Sequence, residues 1–226
     1  MNSTSSPLLR IPGIGEPHLS DYQSGMEWLK RSGQSVAIDK INWAEYPYAP
    51  TVKLFAGYSE GCLWLGYEVK GDFFRAQALH DQEAVWEDCC VEVFISTEEE
   101  KQEEASSPDR IIYRNFEFNL LGFAYSAVGT KEHRELLGPT LMDQILRYPE
   151  FSREKLPAEG SLCDWGLCVA IPLKLLGIQK GSRFKGNFQK CGDLTRAPHF
   201  LSWNSILSDE PDFHLPQFFG EMELVH

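Results

Sequence analysis

An all-β fold is predicted for this chain of 226 residues, in the form of a β-sandwich (jelly-roll or immunoglobulin-like) with short helical excursions. From Val36 onward, short apolar or alternating runs follow one another between turn residues, which is typical of many short strands. Aromatic residues make up 12% of the chain and suit sheet faces. Because there is no internal repeat and no linker with a shift in composition, we expect a single domain at residues 35–226 and an N-terminal extension at residues 1–34 that packs on it.

The strands are placed by alternation and by turn residues. Val52–Tyr58 and Cys62–Val69 read as a hairpin, and further strands are predicted at Cys89–Ile95, Ile111–Ala127, Asp164–Ile171, Phe184–Lys190, Phe200–Trp203 and Gly220–Leu224. Helical spacing occurs at Gln23–Arg31 and Glu132–Tyr148, and a single turn at Pro172–Leu176. The Glu-rich run Thr97–Arg110 is typical of a solvated hairpin connection.

Charge and hydropathy exclude several classes of partner. The net charge of −12 would repel a nucleic-acid backbone or an anionic membrane, and no basic stripe opposes it. The N-terminal residues Met1–Pro7 lack the pattern of a signal peptide, and no apolar run approaches the ~20 residues of a membrane span, so a cytoplasmic location is expected. The six Cys residues read as reduced, half-buried thiols, and their spacing matches no zinc motif.

Two predicted strands carry polar side chains on one face. In Cys89–Ile95 the valines face the core, so Glu92 projects from the opposite face. In the following strand, Glu117 and Asn119 lie opposite the phenylalanine face in the same way. If a hairpin pairs the two strands, Glu92, Glu117 and Asn119 converge on one patch. An ordinary solvated sheet face would show the same alternation.

Trp86 favours a binding patch over a merely solvated face. It precedes the first of these strands, among polar neighbours, at a point where the chain is expected to turn. An aromatic face beside carboxylates and amides suits a pyranose, whose C–H groups stack on the ring while its hydroxyls hydrogen-bond to the polar groups. Trp203 could supply a second wall.

Three blocks of sequence resemble the family 9 carbohydrate-binding modules, and among them the stand-alone bacterial relatives of those modules. The first is the strand region Val85–Ile95, with the letters VWEDCCVEVFI, and the second is the following strand, Tyr113–Asn119. The third is C-terminal and comprises Gly186–Asp193, Pro198–Trp203 and Pro211–Gly220. The resemblance covers roughly residues 36–225, with the blocks in the expected order.

The resemblance implies a non-catalytic module that binds a mono- or oligosaccharide, within carbohydrate catabolism. In the family two Trp side chains clamp a terminal sugar, so Trp86 and Trp203 would be the walls, with Glu92 and Asn119 binding hydroxyls. Glu117 departs from the pattern, because the well-described modules use a basic residue near that point. No cofactor is required, and calcium, which some members carry, is left open because no EF-hand-type loop is present.

Glycoside hydrolysis is an alternative to simple binding. Glu92 and Glu117 would serve as the two carboxyl groups, which a retaining enzyme holds about 5–5.5 Å apart. One of them would have to be kept protonated by an apolar neighbour, and Trp86 or Phe94 could do so.

Two further alternatives involve histidines. A DOMON-like sandwich could bind haem through His80, His199 or His214, although no pair has an obvious axial spacing. A metal-dependent site could instead use Asp193, His199, Asp212 and His214.

Overall fold

Two packed β-sheets form the protein, as seen in a computed structural model that describes residues 7–17, 19–59, 61–97 and 108–226. The strands are β1 Leu9–Pro12, β2 Gln34–Ala37, β3 Lys40–Ile41, β4 Thr51–Tyr58, β5 Cys62–Phe73, β6 Cys90–Thr97, β7 Tyr113–Asn119, β8 Ala124–Gly129, β9 Arg134–Leu136, β10 Leu146–Pro149, β11 Leu162–Pro172, β12 Arg183–Cys191, β13 Phe200–Ser202 and β14 Gly220–Val225. The helices are α1 Tyr22–Ser32, α2 Pro139–Met142 and α3 Leu173–Leu176. The predicted β-sandwich is confirmed.

The larger sheet has the strand order β1-β14-β12-β6-β7-β8-β9, with β13 pairing to β12 and β3 to β13. The smaller sheet has the order β10-β11-β5-β4-β2. Alternate side chains of each sheet face the other, and Val91, Val93 and Phe118 are fully buried in this core. The Tyr67 hydroxyl crosses between the sheets and donates to the backbone oxygen of Glu92 at 3.3 Å.

A buried ion pair also joins the two sheets. Lys190 on β12 and Asp72 on β5 are both fully buried, with Nζ 2.9 Å from Oδ2. The Trp165 indole donates to the same carboxylate at 2.9 Å, and Lys190 Nζ lies 2.7 Å from His199 Nε2. Burial acts against ionisation at both residues, yet their attraction outweighs it, so the pKa of Asp72 is lowered and that of Lys190 raised.

The first part of the chain is integrated into the sandwich. The strand β1 pairs in parallel with β14, with Leu9 opposite Met222 and Pro12 opposite Val225. The helix α1, whose N-cap Asp21 forms a capping box, lays Met26 and Leu29 on the outer face of the smaller sheet. This helix confirms the prediction for Gln23–Arg31, while the boundary at residues 34 and 35 stays a prediction.

Two predicted elements are wrong in detail. Ile111–Ala127 is two strands, β7 and β8, because the chain turns at residues 120–123 with Gly122 at φ +82°. Glu132–Tyr148 is not a helical excursion, since it holds the edge strands β9 and β10 around the short helix α2. The turn predicted at Pro172–Leu176 is confirmed as α3, and residues 98–107 of the acidic run lie outside the described residues.

The outer face of the larger sheet is covered by a second layer of chain. This layer is residues 204–219, which we call the cover segment. Its Phe213 and Phe219 side chains pack against Phe94 and Tyr113 of that face. The Phe94 and Tyr113 rings stack with centroids 6.0 Å apart, and the Phe219 ring meets each of them edge-on. The face that alternation marks as polar is therefore largely buried, and a pocket opens onto it beside the cover segment. Across the described ranges, no helix is long and apolar enough to cross a membrane.

Candidate functional site

A pocket of about 240 Å³ lies where the cover segment meets the outer face of the larger sheet. Its floor comes from the neighbouring strands β12, β6 and β7 of the larger sheet, and its walls come from the turn at residues 85–87, strand β8 and the cover segment. The lining residues are Trp86, Glu92, Glu117, Tyr125, Arg134, Cys191, Asp193, Phe200, Pro211, Asp212, Phe213 and His214. Three of the five residues predicted for the site, Trp86, Glu92 and Glu117, are brought together here.

Glu92 and Glu117 form the floor. They are directly opposite in the antiparallel register of β6 and β7, and they are 2% and 3% exposed. Asn115 Nδ2 donates to Glu117 Oε1 at 2.9 Å, whereas Glu92 Oε2 has no hydrogen-bond partner among the described residues. The pairing predicted from strand alternation is confirmed.

Burial shifts both floor carboxyl groups toward their protonated form. Burial raises the pKa of Glu117 to about 8, against the lowering effects of Asn115 and Arg134. Burial and the neighbouring Glu117 raise the pKa of Glu92 well above its ordinary value. A protonated carboxyl group both donates and accepts hydrogen bonds, so the floor can pair with a hydroxyl in either role.

The walls are aromatic. The Trp86 and Tyr125 rings meet edge-to-face, with centroids 5.0 Å apart and planes at 83°. Trp86 sits in a 3₁₀ turn, Val85–Glu87, whose position is set by hydrogen bonds from Asp193 N to Trp86 O at 3.1 Å and from Leu194 N to Glu87 O at 3.2 Å. An indole held this way presents a preformed surface to a ligand.

Arg134 supplies positive charge from the edge strand β9. Its Nη1 lies 2.6 Å from Nδ1 of His214, and since a guanidinium can only donate, His214 accepts there. Burial and Arg134 lower the pKa of His214 to about 3, so the imidazole stays neutral. Arg134 thus brings a basic side chain to the pocket, and its charge acts to lower the pKa of Glu117.

Asn119 and Trp203 lie outside the pocket lining. Asn119 is fully buried at the end of β7, where its Nδ2 donates to Ala78 O at 2.9 Å and to Asp88 Oδ2 at 3.1 Å. Its Oδ1 accepts from the backbone N–H groups of Leu121 and Phe123. Every hydrogen-bonding position of this amide is occupied within the fold.

Trp203 is 8% exposed and belongs to the core between the sheets. Its ring tilts against Phe188 at 6.0 Å, and a Cβ on Gly220 would lie only 2.5 Å from its Cζ3. The close approach of the Gly220 backbone therefore places the Trp203 indole inside the sandwich. In the pocket, the aromatic ring in contact with Trp86 is that of Tyr125.

Several residues that line the pocket were not predicted as ligand-binding residues from the sequence. Tyr125 stands directly opposite Glu117 on β8, and its face would follow from alternation once the turn at residues 120–123 is known. Arg134 lies in the stretch that was assigned to a helical excursion. Asp193, Asp212 and His214 were considered only as metal ligands, and the structure places all three in the pocket lining. His199 is elsewhere, fully buried beside Lys190.

The buried carboxyl pair predicts a fall in stability between pH 6.5 and 8. In this pH range a Glu side chain of the unfolded protein is ionised, whereas Glu117 in the folded protein, with a pKa of about 8, keeps its proton. Unfolding therefore releases protons, and a rise in pH favours unfolding. Each such carboxyl contributes up to about 1.4 kcal/mol per pH unit. His199 and His214, with pKa values lowered to about 4 and about 3, act in the opposite sense and below pH 6.5.

We expect Glu117→Gln to flatten this slope in urea denaturation measured at several pH values. The exposed Glu221→Gln should leave the slope as it is in the wild type. A Glu117→Gln slope equal to that of the wild type would show that Glu117 is ionised in the folded protein.

A β-sandwich whose one sheet carries a pocket with aromatic walls and hydroxyl-matching polar groups belongs to the class of carbohydrate-binding modules. A family model described as carbohydrate-binding family 9 matches residues 27–224, and the chain belongs to that family. The family predicted from the three sequence blocks is confirmed. No curated protein matches the chain.

Solved structures share the fold. A presumed carbohydrate-binding protein from Bacteroides uniformis is 29% identical with a TM-score of 0.81, over 96% of this chain and 99% of that one. A family 9 module from Caldicellulosiruptor kristjanssonii in complex with glucose is 14% identical with a TM-score of 0.58, over 96% and 95%. A family 9 module from the same organism in complex with cellotriose is 14% identical with a TM-score of 0.59, over 95% of this chain and 93% of that one.

Proposed function

We propose that the domain binds a terminal sugar unit in the pocket between Trp86 and the Glu92–Glu117 floor, without chemical conversion. One observation carries the proposal: the Trp86 indole, edge-to-face with Tyr125, lines the same pocket as two buried carboxyl groups that face each other across the strand pair. The sugar ring stacks on Trp86, and its hydroxyls exchange hydrogen bonds with the carboxyl groups of the floor.

The proposed ligand is small and uncharged. The volume of about 240 Å³ is below the ~300–1,000 Å³ usual for drug-sized ligands, which suits one or two sugar units. Glucose and cellotriose occupy structural neighbours of the same family, so glucose and its β-linked oligomers are the first compounds to titrate. Asn119 and Trp203 are left out of the proposed contacts because both are engaged within the fold.

Binding is favoured over hydrolysis by the burial of both floor carboxyl groups. A retaining glycosidase requires one ionised carboxylate as nucleophile beside one protonated acid. Here burial raises the pKa of both Glu92 and Glu117, which disfavours an ionised nucleophile at either position. We expect no release of chromophore from chromogenic glycosides, and turnover that Glu92→Gln abolishes would contradict the proposal.

The proposal needs no cofactor. Calcium prefers six to eight oxygen ligands. In the described part of the chain, the acidic, His and Cys side chains grouped closely enough to hold an ion include two thiols, which are poor calcium ligands. No part of the proposed binding is assigned to calcium.

Replacing Trp86 by Ala is expected to weaken sugar binding by roughly 10- to 100-fold, the equivalent of about 1.5–3 kcal/mol of lost aromatic contact. Wild-type affinity should lie between micromolar and millimolar. Isothermal titration with glucose, cellobiose and cellotriose measures both. The control is Trp28→Ala, a half-buried indole on α1 at the opposite face of the sandwich. Unchanged affinity in Trp86→Ala would refute the proposed site.

A further inference from the structure

Two thiols lie side by side on the floor of the pocket. Cys90 on β6 and Cys191 on β12 are directly opposite in the antiparallel register, and both are on the face that carries Glu92. Cβ atoms of such a pair are about 4.5–5.5 Å apart. Cys191 lines the pocket, and Cys90 is fully buried beside it. Because the two residues are distant in sequence and joined only by strand pairing, motif spacing cannot reveal them.

Glu92 completes a group of three ligands. Its Oε1 lies 3.1 Å from the Cys191 Sγ, and the two thiol sulfurs and a Glu92 oxygen all lie within 4.8 Å of one another. A tetrahedral Zn²⁺, with bonds of about 2.3 Å to sulfur and about 2.0–2.2 Å to oxygen, needs ligand atoms about 3.5–3.8 Å apart. Small side-chain rotations therefore bring this group to the required geometry.

A second observation points to a cation at the same place. Glu92 Oε2 is buried and has no hydrogen-bond partner among the described residues, although burying a polar atom without a partner is costly. Glu92 also faces Glu117 across the strand pair, so two acidic groups lie together, and among the described residues their hydrogen bonds come from Cys191 and Asn115. A bound cation would give the free oxygen a partner, and Glu117 would remain to bind a sugar hydroxyl.

We propose that Cys90, Cys191 and Glu92 form a binding site for a thiolate-preferring divalent cation, Zn²⁺ above all, in the floor of the pocket. Two sulfur ligands select Zn²⁺ over Mg²⁺ or Ca²⁺, which prefer oxygen. Binding displaces the two S–H protons and the carboxyl proton to solvent, with no change of oxidation state. Three protein ligands leave a fourth position for water, on the side where Glu92 and Cys191 meet the pocket.

The test uses the whole chain, purified under reducing conditions. After dialysis, we expect elemental analysis to find one zinc ion per protein chain. After removal of the zinc with a chelator, Co²⁺ should give an intense sulfur-to-cobalt charge-transfer band in the near ultraviolet and the visible bands of tetrahedral cobalt. Cys90→Ser and Cys191→Ser should each weaken Co²⁺ binding at least tenfold. The matched control is Cys89→Ala, since Cys89 neighbours Cys90 but faces the core between the sheets.

Other outcomes overturn the proposal. Wild-type protein without a charge-transfer band, or Ser variants that keep the zinc, would exclude the site, and the first of these does not depend on any variant folding. A mass lower by both thiol hydrogens under reducing conditions would indicate a disulfide in place of a metal site. Titration of the same preparation with sugar separates the two proposals. Binding of sugar without binding of metal would contradict only the metal site. Binding of metal without binding of sugar would contradict only the proposed function.

Discussion

Replacing Asp72 by Asn is expected to destabilise the domain by about 3–5 kcal/mol, the largest effect of any single substitution considered for this protein. Asp72 is the carboxylate partner of Lys190, at 2.9 Å, and both side chains are fully buried. The variant would leave the Lys190 ammonium in the core without its ion-pair partner, with hydrogen-bond contacts to the backbone oxygen of Cys191 and the His199 ring. Urea denaturation followed by tryptophan fluorescence measures the loss.

The double variant Asp72→Asn/Lys190→Met makes this test specific. Removing the second charge abolishes the uncompensated ammonium, so we expect much of the lost stability to return. Asp143→Asn, the same change at an exposed position, should alter stability by less than about 0.5 kcal/mol. If the double variant is no more stable than Asp72→Asn, the loss stems from hydrogen bonding and packing at Asp72 and not from the charge on Lys190.

The second large effect is expected for Asn119→Ala, at about 3 kcal/mol of stability. The substitution removes donors to Ala78 O and Asp88 Oδ2 and the acceptor for two backbone N–H groups. Each buried group left without a partner costs about 1–3 kcal/mol. Because Asn119 lies outside the pocket lining, the folded variant should bind sugar within about twofold of the wild-type affinity.

This experiment also decides what Asn119 does. Denaturation gives the stability, and calorimetric titration below the unfolding transition gives the affinity. A variant that keeps its stability and loses sugar binding would return Asn119 to the ligand contacts that the family resemblance assigns to it.

Strand alternation predicted the floor of the site because its physical basis is simple. Side chains of paired strands alternate between faces, and the antiparallel register then sets Glu92 beside Glu117. Alternation states the face and not the position along it, however. Asn119 shares the face of Glu117 but stands two residues further on, beneath the chain at Ala78 and Asp88, where the pocket does not extend.

The rest of the site depends on contacts between parts of the chain that are distant in sequence. A face marked as polar by its residues was expected to be solvated, and the cover segment buries most of it. The same burial raises the pKa of both floor carboxyl groups, so their protonation state could not be predicted from residue type. Trp203 and Trp86 look equivalent in the sequence, and only the approach of the Gly220 backbone distinguishes a core indole from a pocket wall.

The parallel pairing of β1 with β14 has a consequence for biosynthesis. A ribosome makes β1 before every other strand of the domain and β14 after them, so this edge of the larger sheet cannot close until translation of the domain is nearly complete. Until then the outward edges of both the nascent β1 and its eventual neighbours are open to pairing with other chains. The free edge of β14 is therefore covered by β1 only at the end of synthesis.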